Sequence, residues 1–533
     1  AVEKRYVYDL RGLVVKEISA EGCLTGDTDE ARIGTMHRYN AAGWLLETRE
    51  PMSRTEDGAI QYRLTQYAYD ANGNRTEEKR FLSFQDEKSA KGSIHTLSFA
   101  YDKQNRLVRV SDGLGAVVRY QYDGLNRRIQ ETRLLAEGLP QIIHYRYDPA
   151  GRLIEVEQSA DPEGCGERFA STRYEYDRNG NLTRILLPAG GEVLREYDAA
   201  NRLTAEVHRE AASGIDNRTE FGYDAAGNLV EITDNQGRKT RIAYDLMNRE
   251  IRRIERDGGV QRTIYDRNGR VVRLIRPNEY DTQTDGGEGF QFTYDAQGRV
   301  LTVLSPEGQV LQTNTYDASG RLLQRLDGMG SGVKYEYDLA GDQRRIMTMG
   351  GASQELEYDA RGRITGIVDG NGNRTKYLLD EWGRITGVVK ADGSTERYAY
   401  NFAGAMVFST DGEGRTTQYE YNRMGKISAI VDPTGEKETY HYDGQGRLIR
   451  KTDRNGVTVE LGYNLYGAPL FKREKDGALG DFYEYTQEGL LKCAISAGMR
   501  YAYDYDEMGR MIRKSASGRT LLALEYDRNG NKV

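Results

Sequence analysis

The chain is short of the residues that cross-link, kink or fill a compact core. Its 533 residues include three cysteines, nine prolines and two tryptophans. Cys23, Cys165 and Cys493 lie too far apart for a metal-binding motif and are too few for a disulfide framework. Three separate thiols and a single Cys23–Cys165 bridge are the two arrangements left. The five histidines, His37, His95, His144, His208 and His441, are scattered with no pair at ligand spacing, so neither a zinc site nor a histidine-based triad is indicated and no cofactor is expected. No Walker-type phosphate loop occurs. No apolar run approaches the roughly 18 residues of a membrane-spanning helix. Charge of one sign is missing too. The 75 basic and 82 acidic residues are interspersed, the net charge is -7, and no basic stripe is present to bind nucleic acid. A hydrophobic fraction of 38% and a mean hydropathy of -0.74 are low for a solid core and suit a sheet with a wetted face. There is no secretion signal. The chain starts at Ala1 and stops at Val533 just as a further strand should begin, so it is expected to be a repeat array truncated at both ends.

What is abundant is tyrosine, with 38 residues, and glycine, with 61. Tyrosine favours strands and glycine marks turns, so the composition leans to an all-β chain with many tight reversals. Both residues fall in one short motif, Tyr-Asp-x-x-Gly-Arg, which reads YDASGR at 316–321, YDARGR at 358–363 and YDGQGR at 442–447. Counting degenerate copies there are 23, with Leu379 in the tyrosine slot of one. Their spacing is 20 to 22 residues from 294 onward and 21 to 32 before it. Two stretches of one continuous array are therefore expected: 1–293 with variable repeats and 294–533 with regular ones.

The motif is turn chemistry. An Asp or Asn head and a glycine three residues later describe a type I turn followed by a left-handed residue. That fourth position is Gly in 19 copies and Asn in four, Asn105, Asn126, Asn201 and Asn248, the two residue types that best tolerate positive φ. The structural residues singled out on this basis are Tyr337, Asp338 and Gly341; Tyr358, Asp359 and Gly362; and Tyr442, Asp443 and Gly446. A second turn lies between successive motifs, as at 369–372, 411–414 and 432–435. Two turns per repeat leave strands of six or seven residues, so the array reads as an antiparallel meander. An aromatic sits two residues before the motif tyrosine in 15 copies, as in Tyr335 with Tyr337, and a period of two places both rings on one face. The strand after the motif, beginning at Leu322, Ile364 or Leu448, has a looser apolar pattern that does not assign its faces. Extra residues near 20–31, 86–93, 160–168, 210–216 and 280–288 all fall at the second turn, so one edge of the strip is uniform and the other is elaborated in its first 300 residues.

About 46 strands at roughly 4.8 Å make a strip of about 220 Å, and open twisted sheets rarely exceed about ten strands without curling. The strip is expected to coil into a spiral around a lumen that side chains cannot fill. The alternative is a narrow β-solenoid with a packed core.

The motif at this period resembles the RHS/YD-repeat family, which includes bacterial Rhs polymorphic toxins, the B and C components of Tc toxin complexes, Gram-positive wall-associated proteins and animal teneurins. The resemblance covers essentially the whole chain. It implies a hollow shell of β-hairpins on a secreted or cell-surface bacterial protein, with the chain's own C-terminal cargo domain as partner. Such toxins usually close with a self-cleaving segment rich in Asp, Pro and Gly. None follows Tyr526, so neither self-cleavage nor toxic activity is carried to any residue, and the stretch is expected to be non-catalytic. A module that binds glycans or cell-surface receptors through its tyrosine ladders is the alternative. Asp-x-Asn-Gly-Asn strings at 70–74, 177–181, 369–373 and 527–531 are read as turns, with a weak calcium loop as the other reading.

Overall fold

Alternating side chains and a left-handed turn residue build one element, an antiparallel hairpin, and the computed structural model repeats it along the chain. The structure describes every residue except 1–3, 20, 21, 27, 30, 55–58, 82–93, 162–167, 211, 340, 360, 476, 478 and 479. Among the described residues there are 47 strands, and 45 of them form a single sheet. The other two, Tyr280–Asp281 and Gly286–Gly287, make a small separate ribbon inside the 280–288 insertion. Apart from one 3-10 turn at Gly22–Leu24, no helix is present among the described residues. Described pairings in the large sheet are antiparallel and join strands adjacent in the chain, as in Gly332–Tyr337 with Gln343–Thr348, and the latter with Ser353–Tyr358. A packed solenoid would pair strands one repeat apart and in parallel, and among the described residues no such ladder exists.

The hairpin explains why the strand after each motif resisted a reading by faces. Tyr337 pairs with Gln343, but Glu336 pairs with Arg345, so Arg344 is an extra residue. The same slip leaves Thr365 extra beside Tyr358 and Ile449 extra beside Tyr442. A bulge of this kind breaks the period of two. Apolar residues on the tyrosine face therefore recur three apart, as Ile364 with Ile367 and Ile427 with Ile430. At the second turns the described registers are mostly plain, as where Met347 pairs with Ser353 and Ile346 with Gln354, although Met52 and Leu521 are extra residues at two of them.

The chain divides into two compact units. One comprises Ala1–Pro140, Arg299–Thr302 and Val310–Tyr419; the other comprises Gln141–Gly298, Val303–Gln309 and Glu420–Val533. Each unit is thus made from an early and a late stretch of strip. Among the described residues, fifteen of the nineteen buried apolar side chains lie before residue 276, and several of them sit at the second-turn ends of early strands: Ile18 and Phe81 in the first unit, Ile215 and Ile275 in the second. The deepest burial is therefore along an edge of the strip, because that edge is where the late stretch rests.

Candidate functional site: the tyrosine–aspartate rim and its seams

At the three motifs singled out by sequence, the turn is closed by the backbone at both levels. The amide of Asp338 donates to the Asp342 carbonyl at 2.9 Å, that of Asp359 to Arg363 at 3.0 Å, and that of Asp443 to Arg447 at 2.9 Å. Gly341, Gly362 and Gly446 have φ of 94°, 71° and 77°. Across all 23 motifs the fourth turn residue has positive φ, and the four asparagines cluster at 58–64°. Each aspartate also serves as an acceptor. Asp443 Oδ1 takes the amides of Gln445 and Arg447, both at 2.9 Å, and Oδ2 takes Arg447 Nε at 2.7 Å. Such amides hold Asp123, Asp148, Asp198 and Asp266 below the usual carboxylate range.

The remaining atoms of the motif reach the neighbouring repeats, the tyrosine backward and the arginine forward. Tyr337 donates its hydroxyl to the Leu322 carbonyl at 2.8 Å, Tyr358 to Gln343 at 2.5 Å and Tyr442 to Ile427 at 2.8 Å, each being the first residue after the previous turn's closing position. The same bond recurs in at least eighteen copies. The motif arginine works in the other direction. Arg384 binds its own Asp380 through Nε at 2.6 Å, donates Nη1 to the Asn401 carbonyl of the next turn at 3.0 Å, and lies 4.9 Å over the Tyr400 ring. Arg321 and Arg447 repeat the arrangement over Tyr337 and Tyr463. A planar fork can serve a carboxylate, a carbonyl and a ring at once, which a lysine cannot. The motif is therefore an inter-repeat clamp as well as a turn.

Sequence reasoning missed this clamp, yet it left a signal. Eighteen motif turns are headed by Asp, and sixteen of these have Arg or Asn four residues on. Where that residue is Trp44, Ala405, Lys426, Ala468 or Leu490, the head is Asn40, Asn401, Asn422, Asn464 or Thr486. A half-buried carboxylate oxygen needs an aimed donor, and the charge is dropped where the closing side chain has none, as well as at Asn422, where the closing residue is Lys426. Asp9 satisfies the rule through Arg11 instead, whose Nε reaches it at 2.9 Å.

In both units the motif turns of the late stretch seat on the early stretch, largely on its second-turn edge and mostly through their second or third residue. In the first unit, the Leu339 amide donates to the Met52 carbonyl and the Ala403 amide to that of Leu135, both at 3.2 Å. Arg361 reaches the Thr65 hydroxyl at 3.2 Å, and Trp382 packs on buried His95 at 4.7 Å. Burial lowers the His95 pKa. In the second unit, Asp161 accepts the Tyr442 amide at 3.2 Å and Glu210 accepts the Leu465 amide at 2.7 Å. The Tyr466 ring packs at a tilt against His208, 5.6 Å between centroids, and the Asn278 side chain donates to Asp527 at 2.8 Å. Partners across these seams are 249 to 296 residues apart. Asp161, Glu210 and Asn278 lie in or beside the second-turn insertions near 160–168, 210–216 and 280–288, so these insertions help form the receiving surface.

A family model of the teneurin YD-shell matches residues 125–270, 255–431 and 369–533, well over half of the chain. The chain belongs to the teneurin YD-shell family. An RHS-repeat model also matches residues 101–139. Among curated relatives, the double-stranded DNA deaminase toxin A of Burkholderia cenocepacia is 26% identical over 366 residues, covering 63% of this chain and 22% of that protein. The tRNA3(Ser)-specific nuclease WapA of Bacillus spizizenii is 26% identical over 221 residues, covering 41% and 8%. This YD-shell chain thus spans less than a quarter of the curated relatives it matches. Among solved structures, a TcdB2-TccC3 crystal structure superposes with a TM-score of 0.53 at 13% identity, covering 99% of this chain and 32% of that one. The Photorhabdus luminescens Tc holotoxin pore gives 0.50 at 15%, covering 93% and 31%. At such identities the likeness is one of fold.

The other candidate groups find plain structural places in this YD-shell strip. In the Asp-x-Asn-Gly-Asn strings the last Asn turns its amide to the aspartate, as Asn74 does to Asp70 at 2.9 Å, taking the role of the arginine. Among the described residues no three His, Cys, Asp or Glu side chains converge to hold a metal ion. Among the described residues no helix is long and apolar enough to cross a membrane. Cys493 is buried, Cys23 is half-buried, and Cys165, with the bridge considered for it, lies outside the described residues. At Tyr337 and Tyr400 an arginine covers one face of the ring and the hydroxyl is bonded to the previous repeat.

Proposed function

We propose that this chain is a wall segment of a protein container that holds a separate, C-terminal cargo segment of the same polypeptide, with catalysis left to the cargo. The observation that carries this reading is the seam. An antiparallel strip that seats its own motif rim on its own opposite edge, in both units, is built to close on itself and not to lie open. Its polar groups are spent on neighbouring repeats, which suits a wall better than a reaction centre. The matched relatives support the reading. One is named as a DNA deaminase toxin and one as a tRNA nuclease, yet the shared strip makes up only 22% and 8% of them. A secreted or surface-delivered toxin protein is the setting that fits.

Protease protection tests this. A reporter domain of about 100 residues, whose radius of gyration is about 13 Å, is joined after Val533 through a flexible linker. The container reading expects the reporter to be cut at least about tenfold more slowly than the same reporter fused to an unrelated β-protein. It expects small-angle scattering to show density displaced from the centre. Cleavage at the free rate from a correctly folded strip would remove the proposal.

A further inference from the structure

One motif turn breaks the charge rule that the others obey. Asp338 heads a turn whose closing residue is Asp342, a second carboxylate where twelve aspartate-headed turns have arginine. Within the turn Asp342 contributes only backbone: its amide donates to Asp338 Oδ1 at 2.9 Å, and its carbonyl accepts from Asp338. An arginine could make the same two bonds and add the clamp described above, so the local hairpin gives no reason for an acid.

The reason lies across the seam of the first unit. Asp342 Oδ2 is 3.5 Å from Arg63 Nη2, on the early strand Ile60–Tyr69, and Arg63 also pairs with Glu50 at 3.4 Å. From the next motif turn Arg361 enters the same place and bonds Thr65. Burial and the nearby Arg80 and Arg63 pull the Arg361 pKa down, as expected where guanidinium groups are gathered with little water. Gly362 completes the fit. A Cβ there would stand 2.2 Å from Arg63 Nη2 and 2.7 Å from Asp342 Oδ2, so a side chain at this glycine, whose φ is 71°, would push the two charged ends from their places.

We propose that residue 342 is a register key, the position that decides which motif turn of the late strip seats against Arg63. The neighbouring turns close with Arg321 and Arg363. A slip of one repeat in either direction would bring one of these guanidinium groups against Arg63 in a partly dry site, and like charges so placed are strongly disfavoured. Only the turn closed by an acid fits. A repeat array needs such a key because its turns are otherwise nearly alike, and a uniform rim would seat equally well one repeat out of place. This reading stands whether or not the strip encloses a cargo.

The Leu339 amide, which donates to Met52 across this seam, reports the docking directly through hydrogen exchange; the Gly341 amide, bonded within the turn to Asp338, is the internal control. Asp342→Arg is expected to raise Leu339 exchange at least about tenfold and leave Gly341 unchanged. The charge swap Arg63→Asp with Asp342→Arg is expected to restore protection. Asp342→Asn, which removes the charge but adds no cation, is expected to stay within about threefold of the parent. Full protection of Leu339 in Asp342→Arg overturns the proposal. So does a swap that fails to restore protection or to fold, or an Asp342→Asn variant as exposed as Asp342→Arg.

Discussion

Gly362→Asn separates the two demands on that position. Four motif turns already carry Asn at the equivalent place, with φ of 58–64°, so φ of 71° at Gly362 is within reach of the same residue. The backbone cost should then be small, about 0.5–1 kcal/mol for a residue type that visits this region readily. The contact cost is larger. The new Cβ would lie 2.2 Å from Arg63 Nη2 and 2.7 Å from Asp342 Oδ2, well inside van der Waals contact. Both neighbours are ends of flexible side chains, so they would yield, and the Arg63–Asp342 contact at 3.5 Å would go with them. Overpacking of this kind costs about 1–3 kcal/mol. Gly372→Asn is the matched control, since Gly372 has φ of 82° and nothing within 4 Å of its would-be Cβ. Trp382, seated in the same seam against His95, is the natural probe once Trp44 is replaced by Phe. Urea titration of Trp382 fluorescence should place Gly362→Asn below Gly372→Asn by about 1–2 kcal/mol. Equal midpoints would refute the reasoning, because Gly362 would then be explained by φ alone.

Three further outcomes follow from the clamp, the second seam and the carboxylates. Arg384→Lys keeps the charge but loses the fork over Asp380, Asn401 and Tyr400, and should lower stability by about 1–2 kcal/mol. Tyr400→Phe, which leaves the Ile385 carbonyl without its donor at 2.6 Å, should cost about 1 kcal/mol, and a double-mutant cycle in urea should show the two changes coupled. Glu210→Ala orphans the Leu465 amide in the second unit and should raise its hydrogen exchange by about tenfold, whereas Glu210→Gln keeps an acceptor and should not. For pH, the motif aspartates whose folded pKa is depressed contribute stability above their unfolded value of about 3.9 and lose it as pH falls through the lower folded value. Melting should therefore hold level from neutral pH to about 4 and fall below it. Asp342 has the opposite sign: burial raises its pKa, so the parent should gain on Asp342→Asn as pH drops from neutral. A difference between the two that is flat with pH would count against that assignment.

Much of the hairpin was legible in the residues. The head Asp and the fourth-position Gly or Asn can be read from sequence because they answer to φ and to bonds four residues apart, as at Asp443 and Gly446. The Tyr335–Tyr337 pairing was legible because alternation is a local property of a strand. The strand after the motif was not, since the extra residue at Arg344 shifts the faces and the bulge has no residue type of its own. The clamp lay between these cases. Arg384 and Tyr400 are only sixteen residues apart, and the exchange of Asp for Asn at the turn head tracks the loss of the arginine, but one must look for charge compensation to see it.

The sequence by itself determined the repeat, its two turns and the uneven distribution of insertions between its two edges, because each depends on interactions within a repeat or between neighbours. Only the tertiary structure decided which edge meets which. Arg63 and Asp342, or Glu210 and Leu465, are hundreds of residues apart, and nothing in the spacing of a motif says where a strip will land on itself. It also decided what Asp342 is for. In its own turn that residue is a misfit; opposite Arg63 it is the one charge that fits, because a partly dry site between laps penalises a third cation far more than the turn rewards one.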